Sequence, residues 1–511
     1  MSRFRDQFLA RVNNAVERLE SPRTPYGYVL LTFFFAVTLR NFLETYIDGE
    51  IASSDLLADL AHYYLSYTCL AMALIILFHF ATRVPVGKIS RVILPSFLIL
   101  ILPPVFWILV PAWRNFGIGY MFPDTHQDLP LRFLTFFGPL TDSGIMPGMR
   151  VEIALAIGAG FLYFLAKGRN VLRSLGFSFL TYAVIFIYCA LPFAYAGLAR
   201  LLGTGDEITE PAMTGFCLLL MLILGLGLFY LHNKIYFREI LKDIRPLRLL
   251  HFLLMLLLGT TLSGLAHRRP VALTSLTFFH AVFLMAAVVF AWLFAVTTNN
   301  IADYDIDVIS NAGRPTVTGT IPARDYRYLP RLFCVLAVIY SCAVNLTSLF
   351  LILVFMGNYF LYSMPPLRLK RVTFFSKLLI SLNSLILVLL GQLFHSGDFA
   401  LPLGVILFFL VCVTAALNFI DIKDYEGDKK AGIKTLPVVL GLDKSKKLIG
   451  LFFVISYIAA GLIFSNSLPL LIMAVGAGAA QFFLVNKNPY REDPVLLVYL
   501  SSLAVLIFLL R

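Results

Sequence analysis

The stretch FAVTTNNIADYDIDVISNAGRP, residues 294–315, closes a long apolar run and sets Asn299, Asp303 and Asp307 at four-residue intervals where a membrane span meets water. Residues four apart lie on one face of an α-helix, so the three form a polar stripe with a single direction. Further along, NFIDIKDYEGDKKAGIKTLPVVLG, residues 418–441, repeats the arrangement: Asp421, Asp424 and Asp428 close a second apolar helix. Charges at the edge of a bilayer core are costly and mark function. Two carboxylate stripes and an Asn offer the oxygen ligands that Mg2+ takes, with substrate phosphates completing its shell.

Composition fixes the class around these motifs. The chain is 59% hydrophobic and 14% charged, against roughly 25% charged in a soluble domain, and apolar runs of about 18 to 25 residues recur along it. The expectation is an all-α polytopic membrane protein of about fifteen spans, six before residue 235 and nine after it. Spans are predicted at 174–199 and 330–345 among others, while 114–148, rich in Gly, Pro and aromatics, reads as a long outer loop with an interfacial helix.

The net charge of +12 raises the question of nucleic acid, and the distribution of the basic residues answers it. With the N-terminus inside, roughly four-fifths of the lysines and arginines fall on cytoplasmic segments, as the positive-inside rule expects. Outer loops such as GDEITEP, residues 205–211, lean acidic. The charge is a topology signal, not a nucleic-acid patch. It places both acidic motifs on the cytoplasmic side of a membrane, expected to be the cell inner membrane. The first 25 residues form a basic amphipathic segment without the apolar core of a cleavable signal peptide. Six cysteines sit singly in apolar segments and eight histidines are scattered, a pattern of core residues rather than of transition-metal ligands.

Organisation changes at HNKIYFREILKDIRPLR, residues 232–248, a charged connector. It divides the chain into an N-terminal transmembrane accessory domain, 1–235, and a second domain, 236–511. Every chemically suggestive motif lies in the second. The first carries isolated polar residues such as Arg40, Glu44, His79 and Glu152, and is expected to dock a protein partner, shape lipid access or bind an acceptor.

Four pieces of the second domain carry a resemblance: IRPLRLL (244–250), the Asn299/Asp303/Asp307 motif with its following Arg314-Pro315, the Tyr-containing basic loop LYSMPPLRLKR (361–371), and DYEGDKKAGIKTLPVVLG (424–441). In this order, on alternate cytoplasmic loops, they resemble the UbiA superfamily of intramembrane prenyltransferases. Many members have Asp after the first Asn, where this chain has Asn300. The resemblance implies a nine-helix bundle that transfers a polyprenyl group from its diphosphate to an aromatic or lipid-type acceptor.

Breaking an allylic carbon–oxygen bond leaves a diphosphate whose charge needs Mg2+ and cationic side chains. Asn299, Asp303, Asp307, Asp424 and Asp428 are the expected metal ligands, with Asp421 as ligand or supporting partner. Arg314, Arg368, Lys370 and either Lys434 or Arg371 are expected to grip diphosphate oxygens, and Tyr362 to join the site. Asp305 and Glu426 lie off the acidic faces and read as surface residues. The allylic cation needs a dry wall of π faces, for which Phe278, Phe279, Phe283 and Phe294 are available. Two other readings remain open: a cyclase that quenches the cation within its own chain, and a transporter or partner-binding membrane protein. The acceptor is not identified, although EGDKKAGIKTLPVVLG looks closer to members acting on homogentisate, chlorophyllide or a glyceryl phosphate lipid than to those that prenylate 4-hydroxybenzoate.

Overall fold

The computed structural model describes residues 2–48, 56–110, 119–139, 145–205, 207–267, 274–430, 432–464 and 467–510, and every regular element among them is helical. Among the described residues, fourteen helices are long and apolar enough to cross a membrane. The chain is an integral, multi-pass membrane protein.

Two predicted spans differ from the helices observed. The 330–345 span is the helix Leu329–Cys342. At 14 residues it reaches about 21 Å, short of a hydrocarbon core of about 30 Å. It stops because Asn345 caps the next helix, its side chain accepting from the Ser348 amide at 2.7 Å. The 174–199 span divides into Val171–Cys189 and Leu191–Leu202. Pro192, in the first turn of the second piece, has no N–H to continue the ladder of the first. The 114–148 segment contains the short helix Leu129–Leu134, and its parts 114–118 and 140–144 lie outside the described residues.

The chain separates into two compact units, Met1–Lys234 with Leu273–Phe279, and Ile235–Ala272 with His280–Arg511. The first contains a continuous apolar core that runs from Val16 to Ala190. Inside it, three of the polar residues that looked isolated in sequence meet. Arg40, 1% exposed, lies 2.8 Å from Glu44 and 3.1 Å from Glu152, and Tyr63 donates to Glu44 at 2.8 Å. Burial of three charges is tolerable because each has a partner of opposite sign.

In the second unit the helices Pro246–His267 and Thr373–Ser396 meet backbone to backbone. A Cβ on Gly259 would sit 1.9 Å from the Val388 carbonyl oxygen, and one on Gly391 2.0 Å from that of Leu256. Small residues of this kind let transmembrane helices approach closely. The contact fixes one wall of a cavity of about 1110 Å³ that lies wholly within this unit.

Candidate active site

The helix Ser275–Ala302 presents Trp292, Ala295, Val296 and Asn299 to the cavity, and Asp303, just past its end, follows them. Their spacing of three and four is that of one helical face. The helix ends at Ala302 and a short one resumes over Tyr304–Ser310, yet the four-residue ladder survives the break. Asp303 N–H bonds Asn299 C=O at 2.9 Å, Asp307 N–H bonds Asp303 C=O at 2.8 Å, and Asn311 N–H bonds Asp307 C=O at 2.8 Å. Asn299, Asp303 and Asp307 therefore stay on one side and all line the cavity.

The basic loop closes over this stripe. Arg368, held at a left-handed φ of 42°, donates to Asp303 Oδ1 at 2.6 Å and to the Ala302 carbonyl at 2.9 Å. Lys370 also bonds Asp303 Oδ1, and Asn299 Oδ1 accepts from Ser363 at 3.1 Å and Lys370 at 3.4 Å. Burial draws the Lys370 ammonium down while Asp303 opposes it. Arg314 Nε approaches Asp307 Oδ2 at 3.3 Å, and that buried oxygen has no hydrogen bond. Burial raises the Asp307 carboxyl above its ordinary value, with Arg314 acting in the other direction.

The second stripe is wound differently from an α-helix. A π-helical stretch, Phe408–Val413, and a tighter turn, Leu417–Ile422, precede the short helix Tyr425–Lys430. Asp421 ends up buried against Lys377, with Oδ1 2.5 Å from Nζ and Oδ2 unbonded. Asp428 N–H bonds Asp424 C=O at 2.8 Å, and all three carboxylates line the cavity. Burial, then the negative charges of Asp421 and Asp424, push the Asp428 carboxyl up to about 6. Burial raises Asp424 as well.

Several lining residues were not singled out from sequence. Lys377 and Arg248 are charges within apolar spans, and such residues usually mark a site. Arg248 bonds Glu492 at 2.9 Å, and Glu492 also holds Lys423 at 2.5 Å. Arg245 lines the same mouth, its guanidinium lowered to about 10 by burial and by the like charges of Arg314 and Arg248. The mouth thus gathers more cations than its carboxylates neutralise on one side, and mutually repelling carboxylates on the other. Its chemistry suits an anion bound together with a cation.

Other expected residues stand apart. Asn300 is fully buried and its side chain is a hub: it donates to Asp243 and to Tyr326 at 2.8 Å, and accepts from Arg245 at 3.1 Å and from Arg314. It does not line the cavity, and a neutral amide suits a position that serves two guanidiniums and a carboxylate. Lys434 is exposed and off the cavity, as is Asp305, whereas Glu426 reaches the mouth. Tyr362 lines the cavity, its ring 6.2 Å from that of Tyr359. Phe278, Phe279, Phe283 and Phe294 do not line it. Phe283 packs on Tyr340 at 5.8 Å, on a different face from Trp292 and Asn299. The rings at the cavity instead include Phe252, Trp292, Phe408, Phe409, Phe453 and Phe464.

A membrane-embedded helical bundle with an apolar, aromatic cavity and a mouth of paired carboxylates and cations defines an intramembrane enzyme for an amphiphile with an anionic head. Residues 253–503 match the UbiA prenyltransferase family. The digeranylgeranylglyceryl phosphate synthase of Thermococcus sibiricus is 31% identical over 228 residues, which are 44% of this chain and 75% of that one. The bacteriochlorophyll synthase 33 kDa chain of Cereibacter sphaeroides is 28% identical over 158 residues, 29% of this chain and 51% of that one. A UbiA homolog from Archaeoglobus fulgidus, solved bound to GPP and Mg2+, superposes with a TM-score of 0.44 at 22% identity, covering 53% of this chain and 99% of that one. The chain belongs to the UbiA prenyltransferase family, and it is a prenyltransferase.

Proposed function

We propose that the enzyme transfers a polyprenyl group from its diphosphate to a lipid-type acceptor at this mouth, with Mg2+ as cofactor. The observation that carries the reading is the gathering of two carboxylate stripes at one cavity, Asn299/Asp303/Asp307 and Asp421/Asp424/Asp428, together with Arg245, Arg248, Arg314, Lys370 and Lys377.

Among the described residues no group of three or more His, Cys, Asp or Glu lies close enough to hold a metal by itself. That arrangement fits Mg2+, which is usually held by one or two carboxylates and by substrate phosphates. The unbonded buried oxygens Asp307 Oδ2 and Asp421 Oδ2 are candidate ligand atoms, as are the carboxylates of Asp303, Asp424 and Asp428 and the Asn299 amide oxygen. When bound, the metal neutralises charge on the departing diphosphate. Arg314 and Lys370 orient the diphosphate, and Arg368 holds Asp303 toward it. The apolar depth past Phe409, Phe453 and Phe464 takes the prenyl chain and excludes water from the allylic cation. The acceptor's nucleophile then bonds the allylic carbon whose electron pair left with the diphosphate.

Two of the relatives above are named for a glyceryl phosphate and for a bacteriochlorophyll product. Of these the glyceryl phosphate acceptor is favoured, since Arg245 and Lys430 line the same cavity beside the cations assigned to the diphosphate and offer charge to a second phosphate. The motif-bearing loops are proposed to face the cytoplasm, and residues 1–235 to act as an accessory module. Incubating the purified enzyme with labelled geranylgeranyl diphosphate, Mg2+ and a panel of acceptors tests the reading by mass spectrometry of the products. A prenylated glyceryl phosphate supports it. A cyclised hydrocarbon with no acceptor adduct would replace transfer by cyclisation.

A further inference from the structure

The first unit holds a cavity of about 700 Å³ of its own. Its wall is made where four spans end or begin: Tyr26–Ile47, Ala58–Thr82, Val86–Leu109 and Glu210–His232. Arg83, Lys88 and Arg91 line it together with His79 and His232. Glu20 is the acidic residue of the lining, and its charge is already met by Lys167 at 2.7 Å, with Tyr163 donating to it at 2.9 Å. None of the three strong cations is ion-paired among the described residues. The cavity is a concentrated positive site whose lining carboxylate, Glu20, is already paired.

Its cations are held in place by the backbone around them. Arg91 bonds the Thr24 carbonyl and lies 5.3 Å from the centre of the Tyr26 ring. Arg83 adopts a left-handed φ of 64° and lies 5.9 Å from the Phe80 ring. His79 donates through Nδ1 to the Val84 carbonyl at 2.8 Å, which fixes its ring at the cavity wall. The helix Val86–Ser96 begins at the same place without a side-chain cap, and the positive end of its dipole adds to the field there. Outside the cavity, Tyr28, Leu31 and Phe80 are 65%, 69% and 53% exposed on the helices that frame it, a surface suited to acyl chains.

We propose that this cavity binds the phosphate headgroup of an anionic membrane lipid. Phosphate is the shared chemistry of a lipid headgroup and of a soluble phosphate. The position at the ends of four spans, beside exposed apolar side chains, favours the lipid, because basic pockets at that depth meet headgroups. The site belongs to the first unit and does not depend on the prenyl-transfer reading.

The test uses the full chain in neutral detergent, with native mass spectrometry of retained phosphatidylglycerol or phosphatidylcholine. The wild type is expected to retain phosphatidylglycerol preferentially, and high salt to weaken that preference because the cations are partly exposed. Arg83→Gln with Lys88→Gln should lower retention by about thirtyfold, leaving the melting temperature and prenyl turnover unchanged. Lys88→Gln alone, at an exposed position, gives the smaller loss in the same direction should the double variant fold poorly. Equal retention of the two lipids, or undiminished phosphatidylglycerol on the folded variants, overturns the proposal. Stabilisation by inorganic phosphate with no lipid retained overturns the lipid assignment and leaves a soluble phosphate site.

Discussion

Lys377 Nζ lies 2.5 Å from Asp421 Oδ1, with both side chains buried at the wall of the cavity. The pair links the helix Thr373–Ser396 to the second acidic motif, and it sets the position of Asp421 Oδ2, which has no hydrogen bond. Removing one partner of such a pair leaves an uncompensated buried charge, whereas removing both does not.

Lys377→Met is therefore expected to cost about 3–5 kcal/mol. Lys377→Met combined with Asp421→Leu should recover most of that stability while remaining inactive. Thermal melts and turnover assays of the single and the double variant beside the wild type check this. A stable, active Lys377→Met enzyme would remove the pair from the account.

The raised Asp428 carboxyl gives a pH dependence with a definite sign. Burial and the neighbouring carboxylates hold it at about 6, above the ordinary Asp value of about 3.9. Between those values the folded apo protein binds a proton that the unfolded chain has lost, so this contribution to stability falls as pH rises through the window. Mg2+ competes with that proton, so its stabilising effect should grow as pH rises through about 6 and then level off. Asp428→Asn should flatten the apo profile and abolish the Mg2+-induced melting shift. A shift that is independent of pH in the wild type would contradict the assignment of Asp428 as a ligand.

The backbone contact at Gly259 predicts a packing effect far from the mouth. With a Cβ placed 1.9 Å from the Val388 carbonyl oxygen, Gly259→Ala must separate two helices and should cost about 3 kcal/mol or more. Gly225, whose added Cβ would meet nothing within 4 Å, should tolerate Ala with no loss. Melting temperatures of the two variants check the contrast.

Topology can be read independently. In a background without the native cysteines, Gly313→Cys should react with a membrane-impermeant thiol reagent only once the cytoplasmic face is opened, and Glu207→Cys should react in intact cells. The reverse pattern would place the acidic motifs on the outer side.

The sequence made the two acidic motifs legible because a carboxylate every four residues at the end of an apolar run has few ordinary explanations. The breaks in the backbone were not legible. The π-helical stretch before Asp421 and the interruption at Ala302 respond to packing, and no periodicity in the letters marks them. Lys377 was missed for a related reason: FFSKLLIS, residues 374–381, shows one charge in an apolar context, and its partner stands 44 residues away. The cavity rings escaped too. Phe283 and Trp292 occupy one helix, and which of its faces looks inward is decided by neighbours such as Tyr340. The role of Asn300 became intelligible only as the hub joining Asp243, Arg245, Arg314 and Tyr326.

The central claim is that the two acidic stripes act on one prenyl diphosphate. Its most direct test is the Mg2+-dependent turnover of a labelled polyprenyl diphosphate by the full chain and by Asp303→Asn and Asp428→Asn, each confirmed as inserted and folded. The account predicts metal-dependent turnover by the wild type and a loss of about a hundredfold or more in each variant, the scale of losing a main electrostatic stabiliser. Turnover at the wild-type rate by either variant, with Mg2+ present, would contradict it.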